Sequence, residues 1–205
     1  MGHHQVTQDL SQEERFPPSP DHEHEYQAIL SAFRCTLGNN RVTYVSAPIT
    51  GGKRFVEWFC GEGHSLATNP KDYATRFCDE VKARNIETAQ QFTDQLRTGG
   101  EIAISPAAFD IPHWTQNDYR HLWGLVIRDH VRRVFFLDGW EYSNGCAFEF
   151  YTAINCDVQV LTEGGTAISR VQGFHALEHA LDEKRRAGLS LDFLMHVISG
   201  LSSKF

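Results

Sequence analysis

The chain lacks any apolar run long enough to cross a membrane, which takes about 20 consecutive apolar residues. Its N-terminus also lacks a charged stretch followed by an apolar one, the pattern of a secretory signal. Cysteine is scarce: there are five, an odd number with no CxxC pair, which argues against a disulfide framework. We therefore expect a cytoplasmic protein whose thiols stay reduced.

Positive charge is also in deficit, since 19 Lys and Arg face 26 Asp and Glu, a formal net charge of -7. A broad nucleic-acid interface needs a basic face, so this composition argues against a nucleic-acid polymer as partner. It leaves room for a single nucleotide held by a few local donors. The 205 residues, 41% of them hydrophobic, suffice for one domain with a sizeable core.

Residues 1–24 are polar and include Pro17-Pro18-Ser19-Pro20, which predicts a flexible tail. Residues 25–205 are predicted to form one α/β domain. Apolar patterning predicts strands at about 41–47, 101–105, 131–137 and 157–161, and helices at about 26–36, 70–84, 86–97, 117–130, 144–154, 173–187 and 190–202. Gly61 and Gly63 break the pattern over 56–69. This alternation predicts a doubly wound, mainly parallel, Rossmann-like sheet flanked by helices.

Two segments, 44–54 and 134–149, carry the functional signal. Each has the pattern of a buried strand, then a turn rich in Gly and Ser, then a helix start. Such turns present backbone N–H groups to an anion. Both lie at the carboxyl ends of predicted strands, where parallel sheets bind ligands.

The second segment also places a carboxylate near its predicted anion site. A helix that begins near Ser143 puts Gly145 and Glu149 at i and i+4, about 6 Å apart along the axis. That is roughly the span from the 5′-phosphate of a ribose to its anomeric carbon. The spacing therefore predicts a phosphate on the amides near Gly145, with Glu149 facing the anomeric carbon.

At these residues the chain resembles the nucleoside 2-deoxyribosyltransferase superfamily, above all its 5′-monophosphate N-glycosidase branch and small phage and bacterial relatives. The branch's Tyr-x-x-Gly-Ser-Ile-x-Gly-Gly is matched at Tyr44, Ile49, Gly51 and Gly52. The stretch from Asp138 to Glu149 is similar to the second motif of the small relatives. The resemblance covers about residues 41–161.

The resemblance implies that Glu149 is the nucleophile and that Tyr44 lies beside it and the sugar. It implies a phosphate cradle made of Ile49, Thr50, Gly51, Gly52, Ser143 and Gly145. Because Thr50 replaces the arginine usual in the monophosphate branch, Lys53 or Arg54 is expected to supply that charge. The family's acidic residue ahead of the third strand corresponds to Asp118 or, alternatively, to Asp129.

Breaking an N-glycosidic bond builds positive charge on the sugar, which a carboxylate at the anomeric carbon stabilises or traps covalently. The departing base needs a proton, for which Asp118, Glu141 or another group is a candidate. Trp140 is a candidate for stacking on the base, against ordinary packing. Water as acceptor gives hydrolysis and a second base gives transfer.

Two other functions stay open: glycohydrolysis of NAD or a related dinucleotide, and a nucleotide-binding sensor without catalysis. No cofactor or metal is expected, although His175 to His179 fits an HxxEH zinc pattern. The run 184–186 indicates a cationic helix C-terminus. Leu191, Leu194, Val197, Ile198 and Leu201 have helical spacing, which together with the dimers of the family predicts a homodimer.

Overall fold

The computed structural model describes residues 19–38 and 40–203. Four parallel strands form one sheet in the order β2-β1-β3-β4: β1 (Val42–Ser46), β2 (Ala103–Ile104), β3 (Val131–Phe136) and β4 (Gln159–Thr162). The predicted α/β fold with a parallel sheet is confirmed. Chain order reverses between β1 and β3, so the ligand-binding crevice of such a sheet is expected there.

Helices surround the sheet: α1 (Glu23–Leu37), α2 (Lys53–Trp58), α3 (Pro70–Phe77), α4 (Ala83–Thr98), α5 (Gln116–His130), α6 (Asn144–Asn155), α7 (Arg170–Arg186) and α8 (Asp192–Ser202). A π-helical turn (Cys78–Lys82) joins α3 to α4. Short 3-10 turns occupy Pro20–His22, Pro106–Ala108 and Trp140–Tyr142.

Alternation along the strands divides the core between the two faces of the sheet. Tyr44 and Val134 belong to the larger core cluster, which includes residues of α5, α6, α7 and α8. Val45 and Leu137 belong to the smaller cluster, which α4 covers. Residues 44 and 46 of β1 therefore point toward α6, which brings a tyrosine and a serine side chain to the helix that carries Glu149.

The stretch 53–66 is helical, contrary to the expectation that glycines break it. From α2 the helix runs on through a π-helical turn (Phe59–Gly63) to His64–Leu66. Gly63 faces the ring of Trp58, and a Cβ at this position would lie 2.6 Å from the Trp58 Cζ3 atom. The glycine makes room for a buried tryptophan instead of ending the helix.

The N-terminal segment is packed from Ser19 onward. The Ser19 N–H donates to Asp118 at 2.8 Å, and α1 begins at Glu23, so residues 19–24 do not form the flexible tail expected there. The rest of that prediction concerns residues 1–18, which lie outside the described residues.

The apolar stripe of α8 is covered within its own chain. Leu194, Val197 and Leu201 are fully buried in the larger core, where α8 packs against α6 and α7. The stripe therefore does not supply the expected dimer interface, and the homodimer stays a prediction. All five cysteines are free thiols. No helix in the described part of the chain is both long and apolar enough to span a membrane.

Candidate active site

Glu149 lies in the second turn of α6, with its carboxylate turned toward β1. Its side chain is buried, with 7% of the residue exposed. Tyr44 Oη donates to Glu149 Oε1 at 2.8 Å, and Ser46 Oγ donates to Oε2 at 2.5 Å. Because residues 44 and 46 share one face of the strand, both hydroxyls reach the same carboxylate and fix its orientation.

Burial raises the pKa of Glu149 to about 7, while the hydrogen bonds from Ser46 and Tyr44 oppose the rise. Burial and the Glu149 charge hold the pKa of Tyr44 well above its ordinary value, so Tyr44 keeps its proton and donates. The same two causes raise the pKa of the buried Cys146 thiol, which stays neutral. Of Glu149, Tyr44 and Cys146, Glu149 is therefore the group that changes charge near neutral pH.

Glu149 lines a cavity of about 450 Å³ at the carboxyl ends of the central strands. This volume is within the range of small-molecule sites. Of the predicted cradle, Ile49, Thr50, Gly51, Ser143 and Gly145 line the same cavity. The structure therefore brings together the nucleophile candidate and most of the predicted phosphate ligands, with Tyr44 behind the carboxylate.

The start of α6 provides the donors expected of an anion site. Ser143 caps the helix, and its Oγ accepts from the Cys146 N–H at 3.5 Å. The N–H groups of the first helical residues, Asn144 and Gly145, have no acceptor within the helix. A Cβ atom at Gly51 would lie 3.5 Å from the Ser143 Cα atom, so the turn after β1 adjoins the start of α6.

Glycines allow the turns after β1 and β3 to interlock. Gly52 has φ +85°, and a Cβ there would lie 2.5 Å from Pro48 Cβ. Gly139 has φ +74°, and a Cβ there would lie 2.6 Å from Lys53 Cβ. Neither position accepts a side chain without displacing its neighbour. The Gly52 contact is within the first turn, and the approach of Gly139 to Lys53 brings the two turns together.

Arg54 and Gly52 do not line the main cavity, contrary to expectation. Both line a smaller cavity of about 200 Å³ beside it, as does Lys53. Arg54 Nη1 donates to Asn85 Oδ1 at 2.5 Å, and Asn85 Nδ2 donates to the carbonyls of Ile49 and Gly51 at 3.1 and 3.3 Å. Arg54 therefore supports the turn through Asn85, a residue of α4 that no local sequence pattern marks.

Trp140 is a core residue, so its predicted role in base stacking is wrong. It is 7% exposed, with ring centroids 4.9 Å from Phe136 and 4.8 Å from Phe150. The tryptophan that lines the cavity is Trp123 of α5, which meets Phe109 edge-on at 5.2 Å. Phe109 and Trp123 form the aromatic wall that the sequence reasoning missed.

Asp118 is a buried structural residue that does not line the cavity, so its predicted catalytic role is wrong. It is fully buried and accepts from the Thr115 N–H at 2.6 Å, the Thr115 hydroxyl at 2.7 Å and the Tyr26 hydroxyl. Although burial opposes this, the hydrogen bonds from Tyr26, Ser19 and Thr115 hold the pKa of Asp118 well below its usual range. A carboxylate so stabilised is a poor acid, and here it completes a capping box.

The other candidates for the acid are also placed elsewhere. Asp129 pairs with Arg128 at 2.8 Å near the end of α5, which leads into the start of β3. Glu141 is half-buried and does not line the cavity. Within the described residues Asp110 is the one other carboxylate that lines the cavity, and it pairs with Lys82 at 3.7 Å.

A cation missed by the sequence analysis also lines the cavity. Lys184, predicted only as part of a cationic helix C-terminus, is 7% exposed and donates from Nζ to Asn144 Oδ1 at 3.3 Å. The zinc pattern lies on the exposed side of the same helix, where His175 pairs with Glu178 and His179 with Glu183. No cluster of three or more metal-ligating side chains occurs within 19–38 and 40–203.

Comparison of the chain with models of known protein families, with curated proteins and with solved structures finds no match.

Proposed function

We propose that this chain breaks the N-glycosidic bond of a nucleoside or nucleoside 5′-monophosphate, with Glu149 as nucleophile. One observation carries the proposal: a buried carboxylate, oriented by two hydroxyls, lines a ligand-sized cavity one turn into a helix whose N-terminus lines the same cavity. The likeness of segments 44–54 and 134–149 to nucleoside 2-deoxyribosyltransferases supports this reading of the geometry.

In the first step a carboxylate oxygen of Glu149 bonds to the anomeric carbon as the bond from that carbon to the base nitrogen breaks. The electron pair of the broken bond leaves with the base, which takes up a proton. Water or a second base then attacks the anomeric carbon and releases Glu149. Hydrogen bonds from Tyr44 and Ser46 hold the carboxylate toward the cavity throughout.

The proton donor is a separate question within this mechanism. Asp110 is exposed and paired with Lys82, and it lines the cavity together with Glu149. It therefore replaces Asp118 as the residue to test for this step. Asp110→Asn should lower the rate most for bases that leave poorly without protonation.

A substrate panel tests the proposal. Wild type and Glu149→Gln are incubated with nucleosides, their 5′-monophosphates and NAD, and released base is separated by chromatography. Wild type should release base, and Glu149→Gln should lose about 10³-fold or more of that activity. Glu141→Gln makes the same chemical change outside the cavity and should stay active.

The outcomes separate the alternatives. An active Glu149→Gln enzyme would eliminate Glu149 as nucleophile. Release of nicotinamide from NAD, with no base released from the nucleosides or monophosphates, would indicate a dinucleotide glycohydrolase. Binding of nucleotides without release of any base would indicate a sensor.

A further inference from the structure

One helix carries a buried ammonium group into the wall of the candidate active site. Lys184 lies in the last turn of α7 and is 7% exposed, whereas the side chain of its neighbour Arg185 is 57% exposed. The Lys184 Nζ atom donates to Oδ1 of Asn144, the first residue of α6, at 3.3 Å. The ammonium is thus tethered to the helix start that the sequence marks as an anion site.

A second contact fixes α7 in this position. The hydroxyl of Tyr142 donates to Oε2 of Glu183 at 2.5 Å. Consecutive residues of α7 therefore bond residues 142 and 144, which flank Ser143, the cap of α6. Tyr142, Asn144 and Lys184 all line the cavity, so the side chain is held at its wall.

The Lys184 charge has no anionic partner in the described part of the chain. The Lys184 ammonium donates to a neutral amide oxygen, that of Asn144, and burial lowers the pKa of the ammonium. The other lysine of this cavity differs, since Lys82 pairs with Asp110 at 3.7 Å. A buried cation without a counter-ion is costly, and an anion bound in the cavity would remove that cost.

We propose that Lys184 makes the site selective for a phosphate monoester, by pairing with a phosphate that also accepts from the first N–H groups of α6. A phosphate monoester carries up to two negative charges, which complement both the ammonium and the positive end of the helix. A neutral 5′-hydroxyl carries no charge to complement either of them. The inference rests on the proposed function, because it names the 5′-phosphorylated form of the substrate as the preferred one.

Calorimetric titration tests this without turnover. Ribose 5-phosphate and ribose are titrated into wild type, Lys184→Met and Arg185→Met. Lys184→Met keeps an apolar stem of similar length, and Arg185→Met removes an equal charge one residue away, outside the cavity. We expect Lys184→Met to bind ribose 5-phosphate about 10- to 100-fold more weakly. Arg185→Met should match wild type within about twofold.

Melting of the unliganded proteins shows that the fold is intact. Lys184→Met should melt no lower than wild type, because it removes a buried charge that lacks a counter-ion. Lys184→Arg keeps the charge and should retain part of the preference for ribose 5-phosphate over ribose.

Three results would overturn the proposal: unchanged binding of ribose 5-phosphate by Lys184→Met, an equal loss in Arg185→Met, or a wild type that binds ribose as tightly as ribose 5-phosphate. This test is independent of the glycosidase proposal. A phosphate preference that Lys184→Met abolishes, in a protein that cleaves no nucleotide, would refute the glycosidase and leave the Lys184 assignment in place. Cleavage of nucleosides without a preference for the phosphorylated form would support the glycosidase and refute the Lys184 assignment.

Discussion

Replacing Ser46 with alanine removes one of the two hydrogen bonds that favour the ionised form of Glu149. The Ser46 hydroxyl donates to Glu149 Oε2 at 2.5 Å, and both residues are buried. Burial raises the pKa of Glu149 to about 7, and the bond from Ser46 opposes that rise. Without the bond the pKa of Glu149 should move higher still, leaving less nucleophile at neutral pH.

The size of the effect follows from the strength of the bond. A hydrogen bond to a charged group contributes about 1.5–3 kcal/mol, and about 1.4 kcal/mol corresponds to one pKa unit. The Ser46→Ala variant should therefore raise the Glu149 pKa by about 1–2 units. With about half of the carboxylate ionised in wild type at pH 7, kcat/KM at that pH should fall about 5- to 50-fold.

The assay is the pH profile of kcat/KM for release of base. In Ser46→Ala the acidic limb should move to higher pH, and most of the lost activity should return above about pH 9. Thr43→Val removes another buried hydroxyl from the same strand, one that bonds Glu101 on the opposite face, and should leave the limb in place. A Ser46→Ala profile lowered equally at every pH would refute the assignment of Ser46 to Glu149 ionisation.

Four further predictions concern stability, metal and assembly. Folding raises the pKa of Glu149 from 4.5 to about 7, so the protonated side chain stabilises the folded state. This contribution to the free energy of unfolding is fully present below pH 4.5 and is lost as pH rises through 7. In urea unfolding, the free energy of unfolding of Glu149→Gln should be about 3 kcal/mol higher than that of wild type at pH 8 and nearly equal to it at pH 4. Identical pH dependences of the two free energies would contradict this. Gly139→Ala should cost about 2 kcal/mol or more, and more than Gly165→Ala, where φ is also positive (+81°) but no atom lies within 4 Å of the new Cβ; equal costs would show that the contact with Lys53 is unimportant. Activity should survive EDTA, and a loss that zinc restores would point to His175 and His179. Light scattering should give twice the 23.3 kDa of one chain, and a mass of one chain would refute the homodimer.

The sequence predicted the parts of the site that depend on local signals. Ser143 as a helix cap sets the position of Glu149 on α6, and the resemblance placed Tyr44 beside it. The contact of Ser46 with Glu149 was not predicted, although alternation along β1 puts Ser46 on the same face as Tyr44. The hydroxyls of β1 meet the Glu149 carboxylate because β1 pairs with β3, the strand that precedes α6 in the chain. The fold class could be predicted because the alternation of strands and helices along the chain is itself a local pattern.

The errors arose where a local pattern has two readings. Asp118 follows Thr115 by three residues, which is also the spacing of a capping box, and the structure uses it that way. Trp140 follows the turn after β3, but whether it faces the core or the cavity depends on α6 and the sheet. Gly63 suggested a helix break, although tertiary packing against Trp58 explains it.

Other residues of the site had no local signal at all. Lys184 reaches the cavity because α7 packs beside the start of α6, about 40 positions earlier in the chain. Asn85 supports the first turn from a helix more than 30 positions later. Only the tertiary arrangement distinguishes these two residues from ordinary surface lysines and asparagines.

The pairing of β1 with β3 also determines when the site comes into being during folding. Glu149 meets Tyr44 and Ser46 across 105 and 103 positions of the chain, with β2, β3 and α2 to α5 in between. Closing so long a loop is slow compared with forming a helix. During synthesis of the chain, β1 cannot pair with its central neighbour β3 until β3 has been made. Lys184 is synthesised later still. Glu149 therefore begins as an ordinary acidic residue, and its unusual proton affinity is acquired late, together with the native topology.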